Sequence, residues 1–158
     1  MAPGAPLRLG HPASLTTGRC LLLAPDAAKM RIEISQHKPA SGPLDTKLGA
    51  GGLVDLEFAV HILQLTHKEG LDPSLEKAVE MLAKAGLIST NIVAAQKLLT
   101  EMLITIRLLA PQTTTPSEES FELMARACGA ESWPELLARH DEARQSISTL
   151  WEKVKESR

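Results

Sequence analysis

The sequence predicts an all-α protein, a bundle of about five helices that follows a flexible N-terminal arm. Hydrophobic residues make up 44% of the 158 residues, which is enough for one core of ordinary domain size. Aromatic residues are scarce at 3% and tyrosine is absent, so aliphatic side chains must fill the interior. That composition suits packed helices better than a sandwich or a barrel. After residue 53, apolar residues recur at helical spacing over most of the chain.

The first 44 residues divide into two segments. Residues 1–23 are interrupted by prolines and glycines and keep no hydrophobic period, so we predict a flexible arm or the remnant of another domain. Their longest apolar run is too short for a secretory signal or a membrane span. Residues 24–44 are predicted to be a linker with a short helix, although the alternation of Met30, Ile32 and Ile34 equally permits a strand. The helical bundle then occupies residues 45–158.

The helices of the bundle are marked by local capping signals. Ser74 and Gly86 are typical of the start and end of the second helix, and Pro111 stops the third. Ser117 fits the capping of the fourth helix. Ser132 fits the start of the fifth, because a proline and a capping-box glutamate follow it. The five predicted helices cover residues 53–67, 75–83, 90–109, 117–128 and 132–154.

The charge and the potential metal ligands exclude several classes of function. A formal net charge of −2 gives no general attraction to nucleic acid or to anionic membranes, and we expect neither as a partner. Cys20 and Cys128 lie far apart without a metal-binding spacing, which favours reduced thiols in a cytoplasmic protein. The histidines form no zinc motif, so we predict no metal site and expect them to be surface or partly packed residues. They are His11, His37, His61, His67 and His140.

The most informative segment runs from Asp45 to Phe58, where an extended stretch turns into the first helix of the bundle. The start of that helix carries free N–H groups that attract anions, and Lys47 beside it adds a positive charge. A phosphate or a partner's carboxylate is therefore a reasonable occupant. The alternative is a glycine-rich hinge in which Asp55 and Glu57 simply favour the positive end of the helix dipole. Close approach of the backbone to another group is permitted by three glycines, Gly49, Gly51 and Gly52.

The same segment resembles a signature of a known enzyme family. Its pattern, D-x-K-x-G-x-G-G-[IL]-x-D-[IL]-E-F, is similar to that of the helical domain following the nucleotidyltransferase domain in glutamine synthetase adenylyltransferase/deadenylase, a bacterial enzyme of nitrogen regulation. The similarity continues more weakly over residues 30–154. In that family residues 24–44 would connect the catalytic domain to the helical one. The matching positions are Asp45, Lys47, Gly49, Gly51, Gly52, Asp55, Glu57 and Phe58.

The catalytic half of such an enzyme is missing from the sequence. The resemblance implies a Gly-Ser pair and an Asp-x-Asp pair that hold magnesium ions, and this chain contains neither pair. Asp55 and Glu57 are two residues apart on a helix and so diverge by about 200°, which makes a shared metal ion unfavourable. We therefore predict no catalytic residue and no cofactor in this chain. Magnesium and ATP are implied only for the intact family enzyme.

The resemblance implies an accessory role rather than catalysis. The chain is expected to support adenylyl transfer to glutamine synthetase, or its removal, together with a nucleotidyltransferase domain and a PII-type signal protein. The candidate nucleotide or domain-interface residues are those of the loop and the first helical turns. Two alternatives stay open: a stand-alone module that binds a protein through an exposed apolar patch, and a weak nucleotide sensor whose response to ATP Lys47→Ala would abolish. The loop residues are Asp45, Lys47, Gly49, Gly51, Gly52, Asp55 and Glu57.

Overall fold

The computed structural model describes residues 16–111 and 115–156, and every regular element in this part of the chain is a helix. The all-α prediction is confirmed. Six α-helices are present in the described residues, together with a single turn of 3-10 helix at Glu118–Ser120. The helices are α1 (Thr16–His37), α2 (Leu53–His67), α3 (Leu75–Lys84), α4 (Asn91–Leu109), α5 (Phe121–Ala127) and α6 (Trp133–Glu156).

The first helix is longer than the short one predicted. It begins at Thr16, inside the segment expected to be an arm, and continues through Pro25 to His37. Residues 1–15 of the predicted arm lie outside the described residues. The strand alternative for the segment around Met30 is wrong, because that segment is helical throughout. Most of the predicted linker is therefore an ordered helix, and only the residues after His37 form an irregular connection.

The bounds of α2, α3 and α4 agree with the predicted ones to within one residue. Ser74 caps α3 by accepting a hydrogen bond from the Lys77 N–H group at 3.5 Å. Between α2 and α3 the chain is held by Gln64, a buried residue whose side-chain amide donates to the carbonyls of Gly70 and Asp72 at 2.5 and 3.3 Å. A buried amide that finds two acceptors stabilises the connection without leaving a polar group unpaired.

The start of the fourth predicted helix differs from the expected cap. Ser117 makes no side-chain bond to the backbone, and its Oγ atom lies 3.0 Å from the Oγ atom of Ser120 instead. A 3-10 turn precedes α5, which begins only at Phe121. At α6 the Glu135 N–H group donates to Ser132 Oγ at 3.3 Å, as predicted. The Glu135 carboxylate accepts from Glu131 N–H rather than from Ser132, so the capping box is displaced by one residue.

Helix α6 lies at the centre of the bundle and contacts α1, α2, α4 and α5, while α3 packs on α2 and α4. The interior is aliphatic, as the composition requires. Trp151 is only 7% exposed and meets Phe58 of α2 at a ring-centroid distance of 5.9 Å, so it does not form the exposed patch suggested for an interaction module. The largest fully buried apolar side chains are Leu56, Val60, Val79, Leu82, Leu99, Met102, Met124, Leu136 and Ile147.

Truncating the core of α4 should cost far more stability than truncating its surface. Leu99 is fully buried and Leu108 is 77% exposed, and both are leucines of the same helix. Leu99→Ala is expected to lower the free energy of unfolding by about 2–5 kcal/mol, because it leaves a cavity. Leu108→Ala should change it by less than about 0.5 kcal/mol. Urea unfolding followed by circular dichroism measures both values, and equal losses would contradict the assignment of this core.

Candidate functional site

The candidate site is the connection between α1 and α2, residues 41–52, which we call the signature loop. It folds back on the helix that follows it. The N–H groups of Leu53 and Val54 donate to the carbonyls of Thr46 and Lys47 at 2.9 and 3.1 Å. Because the first turn of α2 is bonded to the middle of the loop, the loop and the helix start form one unit rather than a free hinge.

The first half of the loop is organised around the Asp45 carboxylate. One of its oxygens accepts from the N–H and hydroxyl groups of Ser41 at 3.0 and 2.9 Å, and the other accepts from the N–H groups of Lys47 and Leu48 at 3.0 and 2.9 Å. Partial burial raises the pKa of the Asp45 carboxyl, but these hydrogen bonds outweigh it, and the net pKa lies below the ordinary value. Asp45 is therefore an ionised acceptor for the loop's own donors.

On the α1 side the loop is held by Arg31. Its Nε atom donates to Asp55 Oδ1 at 2.5 Å, and one of its terminal nitrogens donates to the Leu48 carbonyl at 2.9 Å. The other Asp55 oxygen accepts from the Gly51 N–H group at 2.6 Å. Arg31 and Asp55 are 9% and 4% exposed, so this is a buried ion pair whose members would be costly to separate.

On the α6 side the loop is held by Arg144. Its Nε atom donates to the Ala50 carbonyl at 2.8 Å, and Nη1 donates to the Pro43 carbonyl at 3.2 Å. The two ends of the loop are thus bridged by a residue that follows it by about a hundred positions in the chain. Together, Arg31 and Arg144 fix the backbone of the loop between α1 and α6.

The glycines of the loop are required by this close packing. Gly51 has a φ of +69°, and a Cβ atom there would lie 2.1 Å from the Arg144 carbonyl oxygen. A Cβ atom on Gly49 would lie 2.6 Å from the Asp45 carbonyl oxygen, and one on Gly52 would lie 2.8 Å from three loop carbonyls. Real Cβ atoms essentially never approach so closely. The glycines therefore allow α6 and the loop to meet, which accounts for them without a ligand.

Seven backbone N–H groups of the loop and of the first turn of α2 have acceptors within the protein. The Gly49 and Gly52 N–H groups donate to the carbonyls of Asp45 and Gly49, in addition to the bonds already described. The sequence predicts donors at the start of α2 that are free for an anion, but those of Leu53 and Val54 are already bonded. The groups with an internal acceptor are the N–H groups of Lys47, Leu48, Gly49, Gly51, Gly52, Leu53 and Val54.

The structure brings most of the predicted site residues together but turns two of them outward. Asp45, Asp55 and the three glycines lie inside the loop's own hydrogen-bond network or packing. Lys47 and Glu57 are exposed. Asp55 is buried while Glu57 faces solvent, as their separation on the helix requires. The nucleotide and domain-interface interpretations of the loop stay predictions, and Lys47 is the residue of the loop itself that is available to meet a partner.

Three arginines that position or flank the loop, Arg31, Arg107 and Arg144, lie outside the signature and were not predicted as site residues. The contacts of Arg31 and Arg144 span 24 and 94 residues, so no local pattern could reveal them. Arg107 lines a groove beside the loop and is described below.

His140 corrects the expectation that the histidines are surface or partly packed. Its side chain is 2% exposed, on the buried face of α6 one turn before Arg144. Its Nδ1 atom lies 3.5 Å from Asp141, and its Nε2 atom has no hydrogen-bond partner in the described part of the chain. Burial lowers the pKa of the imidazole, and the nearby Arg144 lowers it further. The ring is therefore neutral at pH 7.

Cys128 is not a reactive thiol, and the described side chains offer no site for magnesium. Cys128 is buried beside Thr105, and burial raises the pKa of its thiol, so it stays protonated. Within residues 16–111 and 115–156 no three His, Cys, Asp or Glu side chains are grouped so that they could hold a metal ion. Asp55 is already engaged by Arg31 and Gly51. These side chains do not fit the magnesium implied for the intact family enzyme.

The fold and the loop define an all-helical domain built on a glycine-rich turn that bonds to its own helices. The chain belongs to the family described as GlnD PII-uridylyltransferase, whose model matches residues 27–155. This match covers the second half of α1, the signature loop, helices α2 to α5, and α6 except its last residue. The relationship expected from the signature is confirmed.

Several curated proteins are similar to this chain, and those described here are named bifunctional glutamine synthetase adenylyltransferase/adenylyl-removing enzyme. The protein of Rhodopseudomonas palustris (strain HaA2) is 26% identical over 153 residues, which cover 90% of this chain and 16% of that protein. The protein of Bradyrhizobium diazoefficiens is 29% identical over 140 residues, covering 82% and 14%. That of Caulobacter vibrioides is 42% identical over 67 residues, covering 40% and 7%. The chain thus spans about a sixth of the length of the first of these relatives.

None of the helices in the described part of the chain is both long enough and apolar enough to cross a bilayer.

A matched pair of variants separates the stability cost of steric crowding at Gly51 from the cost of its left-handed backbone conformation. Gly51 and Gly86 have φ values of +69° and +73°, but a Cβ atom on Gly86 would meet nothing within 4 Å. Both Gly→Ala changes carry the left-handed penalty of about 1–2 kcal/mol. We expect Gly51→Ala to cost at least about 2 kcal/mol more, because it forces α6 away from the loop. Urea unfolding measures the difference, and equal costs would contradict the close approach.

Neutral His140 should make stability fall below neutral pH. Its pKa is lower in the folded protein than the ordinary 6.5, so the unfolded chain takes up the proton first as the pH falls. The contribution of the neutral ring to the free energy of unfolding is fully present above about pH 6.5 and is lost progressively as the pH falls below that value. Between pH 7.0 and 5.5 the parent should lose stability that His140→Gln does not lose, up to about 1.3 kcal/mol for a single group with the ordinary pKa of 6.5 in the unfolded chain.

Urea midpoints at the two pH values test this prediction. His61→Gln, at an exposed position of α2, is the matched control and should keep the parent's pH dependence. If His140→Gln also kept it, the buried imidazole would not be the titrating group. Titration of Asp45 does not affect this comparison, because its pKa lies below the ordinary value of 3.8 and both pH values are higher.

Proposed function

We propose that this chain is the helical accessory domain of a protein that resembles glutamine synthetase adenylyltransferase, and that it supports adenylyl transfer to glutamine synthetase or its removal. The family match over residues 27–155, together with relatives about six times longer, carries this proposal. In it, the chain packs against a nucleotidyltransferase domain and holds that domain in a productive position.

The proposed role is structural rather than catalytic. The sequence lacks the Gly-Ser and Asp-x-Asp pairs that the resemblance implies for the catalytic half. Asp55, the nearest candidate for a metal-binding carboxylate, accepts hydrogen bonds from Arg31 and Gly51. Gly51 packs against the Arg144 backbone of α6, and seven N–H groups of the loop and the helix start bond internally, which favours the domain-interface interpretation over a phosphate cradle. Adenylyl transfer by this chain alone is therefore not part of the proposal.

The proposed partners are inferred from the names of the relatives and of the family. Glutamine synthetase is the proposed target, because the curated relatives are named for it. A PII-type signal protein is a further proposed partner, supported by the description of the family. We place the protein in the cytoplasm, where reduced thiols such as that of Cys128 are expected. No nucleic acid and no membrane takes part.

A segment exchange in the R. palustris (strain HaA2) relative tests the proposed function. The segment that aligns with this chain is deleted in one variant and replaced by residues 27–155 of this chain in another. Transfer of a labelled adenylyl group from ATP to R. palustris glutamine synthetase is measured, and its removal as well. We expect the deletion to lower at least one activity about 100-fold, and the replacement to recover at least about a tenth of it, because an accessory domain supplies positioning.

An unrelated four-helix bundle of similar length is the control insert, and it should recover nothing. A replacement protein that melts cooperatively but is as inactive as the deletion would contradict the proposed function. So would equal recovery with the unrelated bundle, because any spacer would then suffice.

A further inference from the structure

Two grooves meet at the outward side of the signature loop. The first, of about 520 Å³, lies between the loop and the end of α4 and is lined by Leu44, Leu103, Ile106 and Arg107, among others. The second, of about 530 Å³, lies between the loop and α1, with Met30, Ile34 and Lys38 among its walls. Lys47 and Leu48 line both grooves. We call the continuous surface formed by the two grooves the Lys47 surface.

The charge of the Lys47 surface is opposite to that of the chain as a whole. Its walls contain three cationic side chains, Lys38, Lys47 and Arg107, and two acids, Glu33 and Asp45. The oxygens of Asp45 are taken up by four hydrogen bonds within the loop. Lys47 and Arg107 form no ion pair within the described residues, whereas the whole chain has a net charge of −2. Two unpaired cations therefore flank an apolar groove.

Exposed apolar side chains lie next to residues that line the two grooves. Ile104 and Leu108, which are 53% and 77% exposed, stand one turn apart on α4 next to Leu103 and Arg107. Met30 on the α1 side is 54% exposed. Exposed apolar groups collected around paired grooves are typical of an interaction surface, in which they form the buried centre and the cations form the rim.

We infer that the Lys47 surface binds an acidic segment with apolar side chains, supplied by the adjoining nucleotidyltransferase domain of the same protein. This inference rests on the proposed function and adds the chemistry of the contact. The charge complementarity is set by Lys47 and Arg107, and the apolar floor is set by Leu103 and Ile106. A second copy of the chain fits less well, because a two-fold axis through this surface would bring the same cations together.

Zero-length cross-linking with a carbodiimide in the replacement protein described above tests the contact directly. The reagent joins an amine to a carboxylate only where the two groups touch. We expect Lys47 to be joined to an aspartate or glutamate of the adjoining domain, as mapped by peptide mass spectrometry. Lys47→Arg keeps the charge but removes the reactive amine, so it should abolish this cross-link.

A charge reversal adds a functional readout to the cross-link. The double variant Lys47→Glu, Arg107→Glu should lower the activity of the replacement protein by at least about 10-fold, since like charges would then face each other. The control Lys84→Glu, Arg126→Glu reverses two exposed cations that line neither groove, and it should keep the activity.

The outcomes separate this inference from the proposed function. Absence of a Lys47 cross-link, or cross-links only to glutamine synthetase or to a second copy, would overturn the inference. So would an active replacement protein that tolerates the double reversal, and in that case the proposed function would stand. A folded replacement protein without activity would instead contradict the proposed function, while the cross-link would still report on the contact.

Discussion

The close approach of α6 to the signature loop at Gly51 is the constraint on which the rest of this structure depends. At that point the loop backbone lies against the Arg144 backbone, with no room for a side chain between them. The approach places the Arg144 side chain over the carbonyls of Pro43 and Ala50. Since α6 also contacts α1, α2, α4 and α5, the position of the loop is coupled to the whole core.

This coupling gives the signature residues a structural explanation that differs from a nucleotide-binding one. A phosphate cradle requires backbone donors that point outward, and here those donors bond to Asp45, Asp55 and loop carbonyls. What the rigid loop offers instead is a fixed platform for Lys47, with Arg107 of α4 nearby. A cation carried by a backbone that is held in place loses less conformational freedom on binding than one on a mobile loop. A loop of this kind therefore suits a surface that positions another domain.

Structural features set by neighbouring residues could be predicted from the sequence, whereas those set by contacts between residues far apart in the chain could not. The bounds of α2 and α3 could be predicted because caps and apolar spacing lie within a few residues of each helix end. The predicted cap of the fourth helix was wrong because the Ser117 hydroxyl pairs with that of Ser120 and a 3-10 turn precedes α5. His140 lies three and four residues from buried Ala143 and Leu136, and this spacing on the apolar stripe was a usable signal for its burial.

The candidate site was predictable in part for the same reason. The signature identified the family and the loop residues, but it could not say which of them face inward. Asp55 is paired with Arg31 from another helix, and Gly51 with Arg144 from a third, so their roles depend on the assembled bundle. Arg107 is brought to the loop by the packing of α4 and has no motif of its own.

Amide hydrogen exchange, followed by NMR, tests most directly the claim that the loop is locked into the bundle. The N–H groups of Gly51, Leu53 and Val54 should exchange as slowly as the core amide of Leu99, because their opening requires α6 to separate from the loop. Their rates and chemical shifts should not respond to millimolar inorganic phosphate. Exchange at the rate of exposed amides, or slowing by phosphate, would show that these donors are available to a ligand and would contradict the account.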